Sequence, residues 1–355
     1  MNLILAQGAN HTKPENLKKI IDIINSERRS MSLLPDGSYN QYISDTFGII
    51  ASASTMSYAV EEKYDGYSYL NTEGRFFSKR LSQAKGNENQ PIEKTGHLPH
   101  ITPILKYAYE NCGCDLHGEI YKPYGISDDV TKILGCTEDE AFNRQKVLQP
   151  HEMLRYMLID IRAINGKSLI NEPHRIRRAI LKYVYDKYIK PVDPHGYVRL
   201  TEELHGDPRD EFRRIVLAGG EGIIIKREDA LYIPGKKPAN NWIKGKKKIT
   251  HDVVIMGLNA GTGKNAGLFG SIKFGHIVDG KLIPCGNCSS GLSDEMREYI
   301  YNNADNLINN KQVFEIEAIQ ESVKSFRNAV FLRLRNDKDW TECQPVNVRI
   351  KGELI

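Results

Sequence analysis

The sequence predicts an α+β chain of two domains, the first mixing strands with helices over residues 1–248 and the second a small barrel over residues 249–355. Three observations lead there. A chain of 355 residues is long enough to bury more than one core. Up to Lys248, short apolar strands alternate irregularly with segments of helical period. Beyond it come five short strands, Asp252 to Met256, Gly270 to His276, Lys281 to Cys285, Val313 to Ile319 and Val330 to Leu334, interrupted by one helix from Ser293 to Ala304. That succession suits a Greek-key barrel of OB type.

The elements of the first domain follow from spacing. Glu15 to Arg28 carries Leu17, Ile20, Ile21 and Ile24 at helical intervals and is expected to pack on the domain as part of a short N-terminal extension, residues 1–55. Residues 30–55 show no clear pattern. Around Lys63-Tyr64-Asp65-Gly66, Tyr58 and Val60 before and Tyr67 and Tyr69 after predict a strand, a tight turn and a second strand: a hairpin with Lys63 at a strand end. Arg75 to Arg80 follows as a third strand, then an exposed loop from Leu81 to His97, a helix from Ile101 to Tyr109 and a strand from Asp115 to Tyr121.

Helical pieces at Ser127 to Leu134 and Glu138 to Lys146 lead to an apolar strand, Leu154 to Ile161. Glu172 to Tyr188 has helical period and stops before Pro191 and Pro194, its tyrosines expected to pack. Asp207 before Pro208 gives a cap followed by a first-turn proline, so a helix starts there and runs to about Leu217, where Gly219-Gly220 ends it. Glu221 to Lys226 is then a buried strand with a charge at each end. Trp242 to Lys246 closes the domain with Lys244 and Lys246 on one face.

Composition excludes little. Hydrophobic content of 40% and charged content of 26% are those of a globular protein, and a net charge of +4 is too mild to demand a polyanionic partner. Locally, six lysines and no acid lie between Lys236 and Lys248, a strip suited to phosphates, although a solvated loop accounts for it equally well. The N-terminus lacks a basic start and a long apolar run, and no stretch approaches a membrane span, so a cytoplasmic location without membrane contact is expected. Of the six cysteines only Cys285 and Cys288 have half a zinc-ribbon spacing, and reduced thiols are expected. Gly261-Thr262-Gly263-Lys264 lacks the hydroxyl residue of a phosphate-cradling loop, since Asn265 stands there; it reads as a turn between barrel strands.

A lysine beside Asp-Gly suits nucleophilic attack on phosphorus, provided its ammonium gives up a proton through desolvation, neighbouring cations or a metal. Asp65 is expected to steer the amine and Gly66 to let the turn approach a nucleotide. Lys-x-Asp-Gly alone is a weak signal, as compatible with a charged hairpin tip. It gains weight because polar groups recur at later strand ends in the order Glu119, Glu221 and Lys226, then Lys244 and Lys246. A nucleoside triphosphate with a divalent cation needs that inventory: a nucleophile, oxygen ligands and lysines for phosphates.

These residues resemble, motif by motif, the covalent nucleotidyltransferase superfamily, and within it the ATP-dependent DNA ligases of the small, phage-encoded kind. Lys63-x-Asp65-Gly66 looks like the adenylation motif, Asp115 to Glu119 like the second acidic motif and Leu158-Ile159-Asp160 like the adenine-side motif. Glu221 to Lys226 is similar to the Glu-Gly motif, Lys244-x-Lys246 to the lysine pair and Arg335-Asn336-Asp337-Lys338 to the Arg-x-Asp-Lys motif of the ligase OB domain. The resemblance covers the chain from about Val60 onward.

What it implies is an adenylation domain of ATP-grasp-like antiparallel sheets with flanking helices, an OB-fold domain, ATP and Mg²⁺ (or Mn²⁺) as cofactors, nicked duplex DNA as partner, and a monomer in the cytoplasm, the host's if the gene is a phage's. Lys63 would carry AMP. Glu61 would meet the adenine edge, and Ile159 and Ile224 would flank the base. Glu119 would hold ribose or metal, with Glu221 as the main metal carboxylate. Lys226, Lys244 and Lys246 would hold the α-phosphate and favour the neutral form of Lys63, while Arg335, Asp337 and Lys338 would orient the pyrophosphate. Two positions depart from the pattern. Ser68 stands where the family has an arginine, for which Arg75, Lys79 or Arg80 could substitute, Lys79 being best placed. Ile159 replaces the usual stacking aromatic. An RNA ligase or capping guanylyltransferase is the nearest rival, and a silent nucleic-acid-binding protein is the alternative of another class.

Overall fold

The computed structural model describes the chain except residues 1–6, 8, 11, 32–38, 45–48, 55, 83–87, 89, 239, 247, 323–324, 345–348 and 352–355. Two compact units divide it, Met1–Lys246 and Lys247–Gly352.

The first unit begins with α1 (Pro14–Met31) and a two-stranded antiparallel ribbon, β1 (Tyr39–Ser44) and β2 (Ile49–Ser54), a ribbon that the sequence pattern did not announce. Two further sheets follow. The smaller is antiparallel and three-stranded: β3 (Tyr58–Lys63) and β12 (Trp242–Lys246) flank β11 (Gly222–Arg227). One face of it is apolar. Val60, Ile223, Ile225 and Ile243 pack there against Ile20, Ile21 and Ile24 of α1 and against Phe212, Ile215 and Val216 of α6 (Pro208–Leu217). The Asp207 side chain accepts from the Arg209 N–H at the start of α6, as a cap residue should.

The larger sheet runs β10 (Val198–Leu200), β8 (Arg155–Ile164), β7 (Asp115–Tyr121), β4 (Gly66–Thr72), β5 (Arg75–Leu81), β6 (Pro91–Glu93), with β9 (Lys167–Ser168) on β8. Only the β10–β8 pairing is parallel. Short β6 occupies part of what the sequence suggested was loop. Behind this sheet Leu116, Ile120, Tyr156 and Leu158 form one core with α2 (Thr102–Cys112), α3 (Ser127–Leu134), α4 (Glu138–Gln145) and α5 (His174–Val184). Tyr183, Tyr185 and Tyr188 pack against the same core. Arg177 of α5 grips Asp160 of β8 through two hydrogen bonds, 2.9 and 2.8 Å, and ties helix to sheet.

One expectation changes here. Strands β3 and β4 are not a hairpin: β3 pairs with β11 and β4 with β5 and β7, so the chain leaves one sheet and enters another across Tyr64 and Asp65. A hairpin would have stacked Lys63 on its own neighbours; the crossing sets it between two sheets.

The second unit is a single antiparallel sheet in the order β15 (Lys281–Cys288), β14 (Phe269–Val278), β13 (Lys248–Ala260), β16 (Val313–Ser322), β17 (Ser325–Leu334), with β18 (Arg349–Lys351) on β13. A parallel bridge, Ser290 to Val330, links the end of β15 to β17. The helical insert is split into α7 (Asp294–Asn302) and α8 (Ala304–Asn309). Cys285 and Cys288 are buried in the core with Phe269, Phe274 and Phe314, and burial pushes their thiols up to about 12 and 11. Gly261 to Lys264 lies in the turn between β13 and β14. Among the described residues, no helix is long and apolar enough to cross a membrane.

Gly222 is the position that the small sheet cannot change. Its φ is +146°, and a Cβ there would stand 2.1 Å from the Gly245 carbonyl oxygen. Gly222→Ala is therefore expected to destabilise the protein by about 1–3 kcal/mol and to shift β11 against β12. The checks are a denaturant midpoint and amide exchange on Ile223 to Lys226; unchanged values in both would contradict it.

Candidate active site

In an antiparallel pair, residues opposite one another share a face. Lys63, Gly222 and Lys246 form one such row across β3, β11 and β12, and Glu61, Ile224 and Lys244 form the next. The five expected site residues in these rows thus lie on the face away from the α1/α6 core, and Glu61, Lys63, Ile224 and Lys244 line a cleft between the two sheets. Across the cleft, β4, β5, β7 and β8 supply Ser68, Lys79, His117, Glu119 and Ile159.

The turn after Lys63 is held from the larger sheet's side. Asp65 accepts the Ser127 N–H (3.2 Å) at the start of α3, and the Thr131 hydroxyl donates to the Tyr67 hydroxyl (2.8 Å). Asp65 is thereby committed to the helix, not to steering the amine, although its charge still reaches Lys63. Gly66 is needed for another close approach than the one expected. A Cβ there would meet the Ile120 carbonyl oxygen at 2.1 Å, so the glycine lets β4 lie against β7.

Lys63 Nζ donates to Glu221 Oε2 at 2.5 Å, and Lys246 Nζ lies 3.9 Å from the other oxygen of the same carboxylate. Burial pushes the Lys63 ammonium down, but Glu221 first, then Glu119 and Asp65, outweigh it and hold the group above the ordinary lysine value. The expectation that surrounding cations favour the neutral amine is thus reversed: the carboxylates are nearer. Glu119 is pushed up to about 7 by burial, with the Glu221 charge adding and Lys63 and Lys79 opposing. Lys79 is lowered by burial and by Lys237, and Lys244 by burial and by Lys246, Lys237 and Lys63. Mutual lowering marks lysines crowded around one space. Lys237 also lines the cleft; in the sequence it was only one member of the basic strip.

Lys226 is placed otherwise than expected. Completely buried, it donates to Glu61 Oε2 (2.6 Å) and to the Ile159 carbonyl (2.9 Å), with its Nζ 4.9 Å from the Trp242 ring centroid. Its donors hold the inner wall of the cleft together and are not turned to a phosphate. The other Glu61 oxygen, Oε1, is buried without a hydrogen-bond partner. An unpaired buried acceptor is costly unless a ligand donor satisfies it. Ile159 and Ile224 line the cleft close by, supplying aliphatic walls.

Several residues of the site left no readable signal. His117 lies between two hydroxyls, Ser68 (2.9 Å at Nε2) and Tyr232 (3.1 Å at Nδ1), and stacks on Trp242 with ring centroids 5.8 Å apart. Burial lowers its pKa to about 3. Near the N-terminus, Asn10 pairs alongside Ile243, and Gln7 and Ala9 line the cleft. A short edge pairing of this kind has no periodicity from which to predict it. Of the candidates to replace the missing arginine, Lys79 lines the cleft, Arg75 is drawn to Glu73 and Glu93 at the far end of β5, and the Arg80 side chain lies outside the described residues.

In the second unit the structure brings Arg335, Asp337 and Lys338 together with one another. The nearly buried Arg335 guanidinium makes two bonds to Asp337, both 2.8 Å, and one to Asp252 at 2.9 Å; Lys338 donates to Glu342 at 2.9 Å. The Arg335 charge holds the Asp337 carboxyl far below the usual carboxylate range. Arg335 therefore shapes its own turn within this unit.

A lysine set between two antiparallel sheets, facing two carboxylates and a group of lysines, defines a mixed α/β unit of nucleotidyltransferase type. The chain belongs to the ATP-dependent DNA ligase domain family, whose model matches residues 42–246. It is 26% identical over 316 residues to a DNA ligase of Methanoculleus marisnigri, covering 81% of this chain and 53% of that protein. It is 32% identical over 285 residues to a DNA ligase of Methanothrix thermoacetophila, covering 78% and 48%. A solved structure from a study of Lig E DNA ligases shares the fold with a TM-score of 0.53 at 18% identity, covering 79% of this chain and 93% of that one. The chain spans about half the length of the curated relatives it matches. Both named relatives are archaeal, so the likeness to ligases of the phage-encoded kind remains an expectation.

Two outcomes follow from this geometry. Glu221→Gln removes the nearest opposing charge, so Lys63 should react with an amine-directed acylating reagent at a lower pH than in the unchanged protein; an unshifted pH midpoint, read by peptide mass analysis, would refute the pairing. Lys226→Met leaves the Glu61 carboxylate buried without its cation, and should cost about 3–5 kcal/mol of stability. The double change Glu61→Gln with Lys226→Met should recover part of it, as read by denaturant unfolding.

Proposed function

We propose that this protein is an ATP-dependent DNA ligase that seals nicks between a 5′-phosphate and a 3′-hydroxyl in duplex DNA through a lysine-AMP intermediate on Lys63. The observation that carries this reading is the place of Lys63 Nζ, in the cleft and 2.5 Å from Glu221, where an ATP α-phosphate would face Lys244 and Lys246 from the same sheet.

In the first step the Lys63 amine attacks the α-phosphorus, a phosphoramidate bond forms and pyrophosphate leaves. Lys63 must first lose a proton, which its pairing with Glu221 opposes for as long as that carboxylate stays on the amine. Lys244, Lys246 and Lys237 meet the negative charge that grows on the phosphate oxygens. AMP then passes to the 5′-phosphate of the nick, and the 3′-hydroxyl displaces it. Glu61 Oε1, an unpaired buried acceptor, suits the exocyclic amine of adenine, whereas guanine presents an oxygen at that edge. Ile159 and Ile224 enclose the base.

Among the described residues no group of three or more His, Cys, Asp or Glu side chains forms a metal cage. Glu119 and Glu221 still fit Mg²⁺, because that ion takes one or two carboxylates from the protein and completes its shell with water and phosphate oxygens. Bound there, it would supply positive charge opposite the α-phosphate and compete with Lys63 for Glu221. Residues 249–355 are read as an OB-type barrel on the strand order and the parallel Ser290–Val330 bridge, with residues 1–248 as the adenylation domain.

The test is incubation with α-labelled ATP or GTP and Mg²⁺, followed by nicked DNA or nicked RNA. Acid-stable label from ATP that chases into sealed DNA is expected. Label from GTP, or RNA sealed in preference, would overturn the reading. Lys63→Ala should abolish labelling and yet seal a pre-adenylylated nick slowly.

A further inference from the structure

Ser68, His117 and Tyr232 form a chain of hydrogen bonds that ends in the cleft, and the direction of its protons can be worked out. The Gln7 backbone N–H, which can only donate, gives its proton to the Tyr232 hydroxyl oxygen at 3.0 Å. Tyr232 is 2% exposed, so its own proton needs an acceptor inside the protein. His117 Nδ1, 3.1 Å away, is that acceptor. The imidazole proton must then sit on Nε2 and be donated to Ser68 Oγ at 2.9 Å. A doubly protonated ring, or one protonated at Nδ1, would leave the Tyr232 proton buried without a partner.

Ser68 Oγ, which accepts from His117 Nε2 behind it, has its own proton left to give. Ser68 lines the cleft, opposite Glu119 on β7 and one step beyond the Tyr69–Ser78 pair, beside Lys79 of β5. We propose that Ser68 is a hydrogen-bond donor to a substrate phosphate oxygen, and that His117 and Tyr232 are positioning residues which turn the serine proton toward the cleft. An anion is the ligand that a donor beside Lys79 favours. The position thus supplies a neutral donor in place of a charged one, with the charge carried by Lys79 on the next strand. This rests on the reading of the cleft as a nucleotide and nick site; the phosphate is that of the nucleotide or the 5′-phosphate of the nick.

The test has a direct arm and a kinetic one. Nitrogen-15 NMR of the histidine-labelled full chain should show the His117 imidazole protonated at Nε2; protonation at Nδ1 would overturn the proposal, and this measurement does not depend on any activity. In the kinetic arm, Ser68→Ala should raise the KM for ATP in labelling, or the KM for nicked DNA in sealing, by roughly ten- to a hundredfold. Which of the two rises names the phosphate. Ser68→Thr, which keeps the hydroxyl, should stay close to the unchanged protein, and His117→Leu should add little once Ser68 is already alanine. Both KM values unmoved in Ser68→Ala would overturn the proposal. If the unchanged protein took no label from ATP, the ligase reading would fail instead, and the NMR result would stand by itself.

Discussion

The two-residue alternation of β-strands is the constraint on which the site depends. Glu61 and Lys63 of β3, Ile224 of β11, and Lys244 and Lys246 of β12 come to one face because the antiparallel register pairs them row by row. A slip of one residue in the β3–β11 pairing would turn Glu61 and Lys63 toward the core formed by Ile21, Ile24 and Phe212 and bring Val60 to the cleft, and a slip in the β11–β12 pairing would do the same to Lys244 and Lys246 and expose Ile243. Register and chemistry are therefore a single specification. Gly222, at the start of β11, protects it by allowing the backbone of β12 to approach more closely than a side chain would permit.

Much of this was legible in the residues themselves. Helices at Ser127–Leu134 and Pro208–Leu217 and the strand Asp115–Tyr121 fall where periodicity and capping put them. The acids and lysines at strand ends could be named in order because each stands beside an apolar run. Which strands pair could not be read. The sequence around Lys63 has every local mark of a hairpin, and local marks do not distinguish a turn that returns from one that crosses to another sheet. The Asn10 pairing with β12 and the Ser68–His117–Tyr232 chain were hidden for a related reason: their partners lie far away in sequence.

Electrostatic roles were harder still to read from type alone. Lys63, Lys226 and Lys244 are all cleft lysines near carboxylates, yet each is in a different state. Lys63 is held charged by Glu221; Lys226 is sealed between Glu61 and a carbonyl; Lys244 stands among cations that lower its hold on a proton. The sign of each depends on which charge is nearest, by differences of a few ångströms. Arg335 makes the same point, because the Asp337 carboxylate two residues on takes up most of its guanidinium.

The crossing at Tyr64 and Asp65 has a mechanical consequence. Two residues span only about 7 Å, and one of them is tethered to the first turn of α3. The sheets consequently cannot part at that edge without straining the chain beside the nucleophile. The reactive amine thus stands beside a covalent tether between the sheets, while farther along the cleft Lys226 fastens the same two sheets through the Ile159 carbonyl.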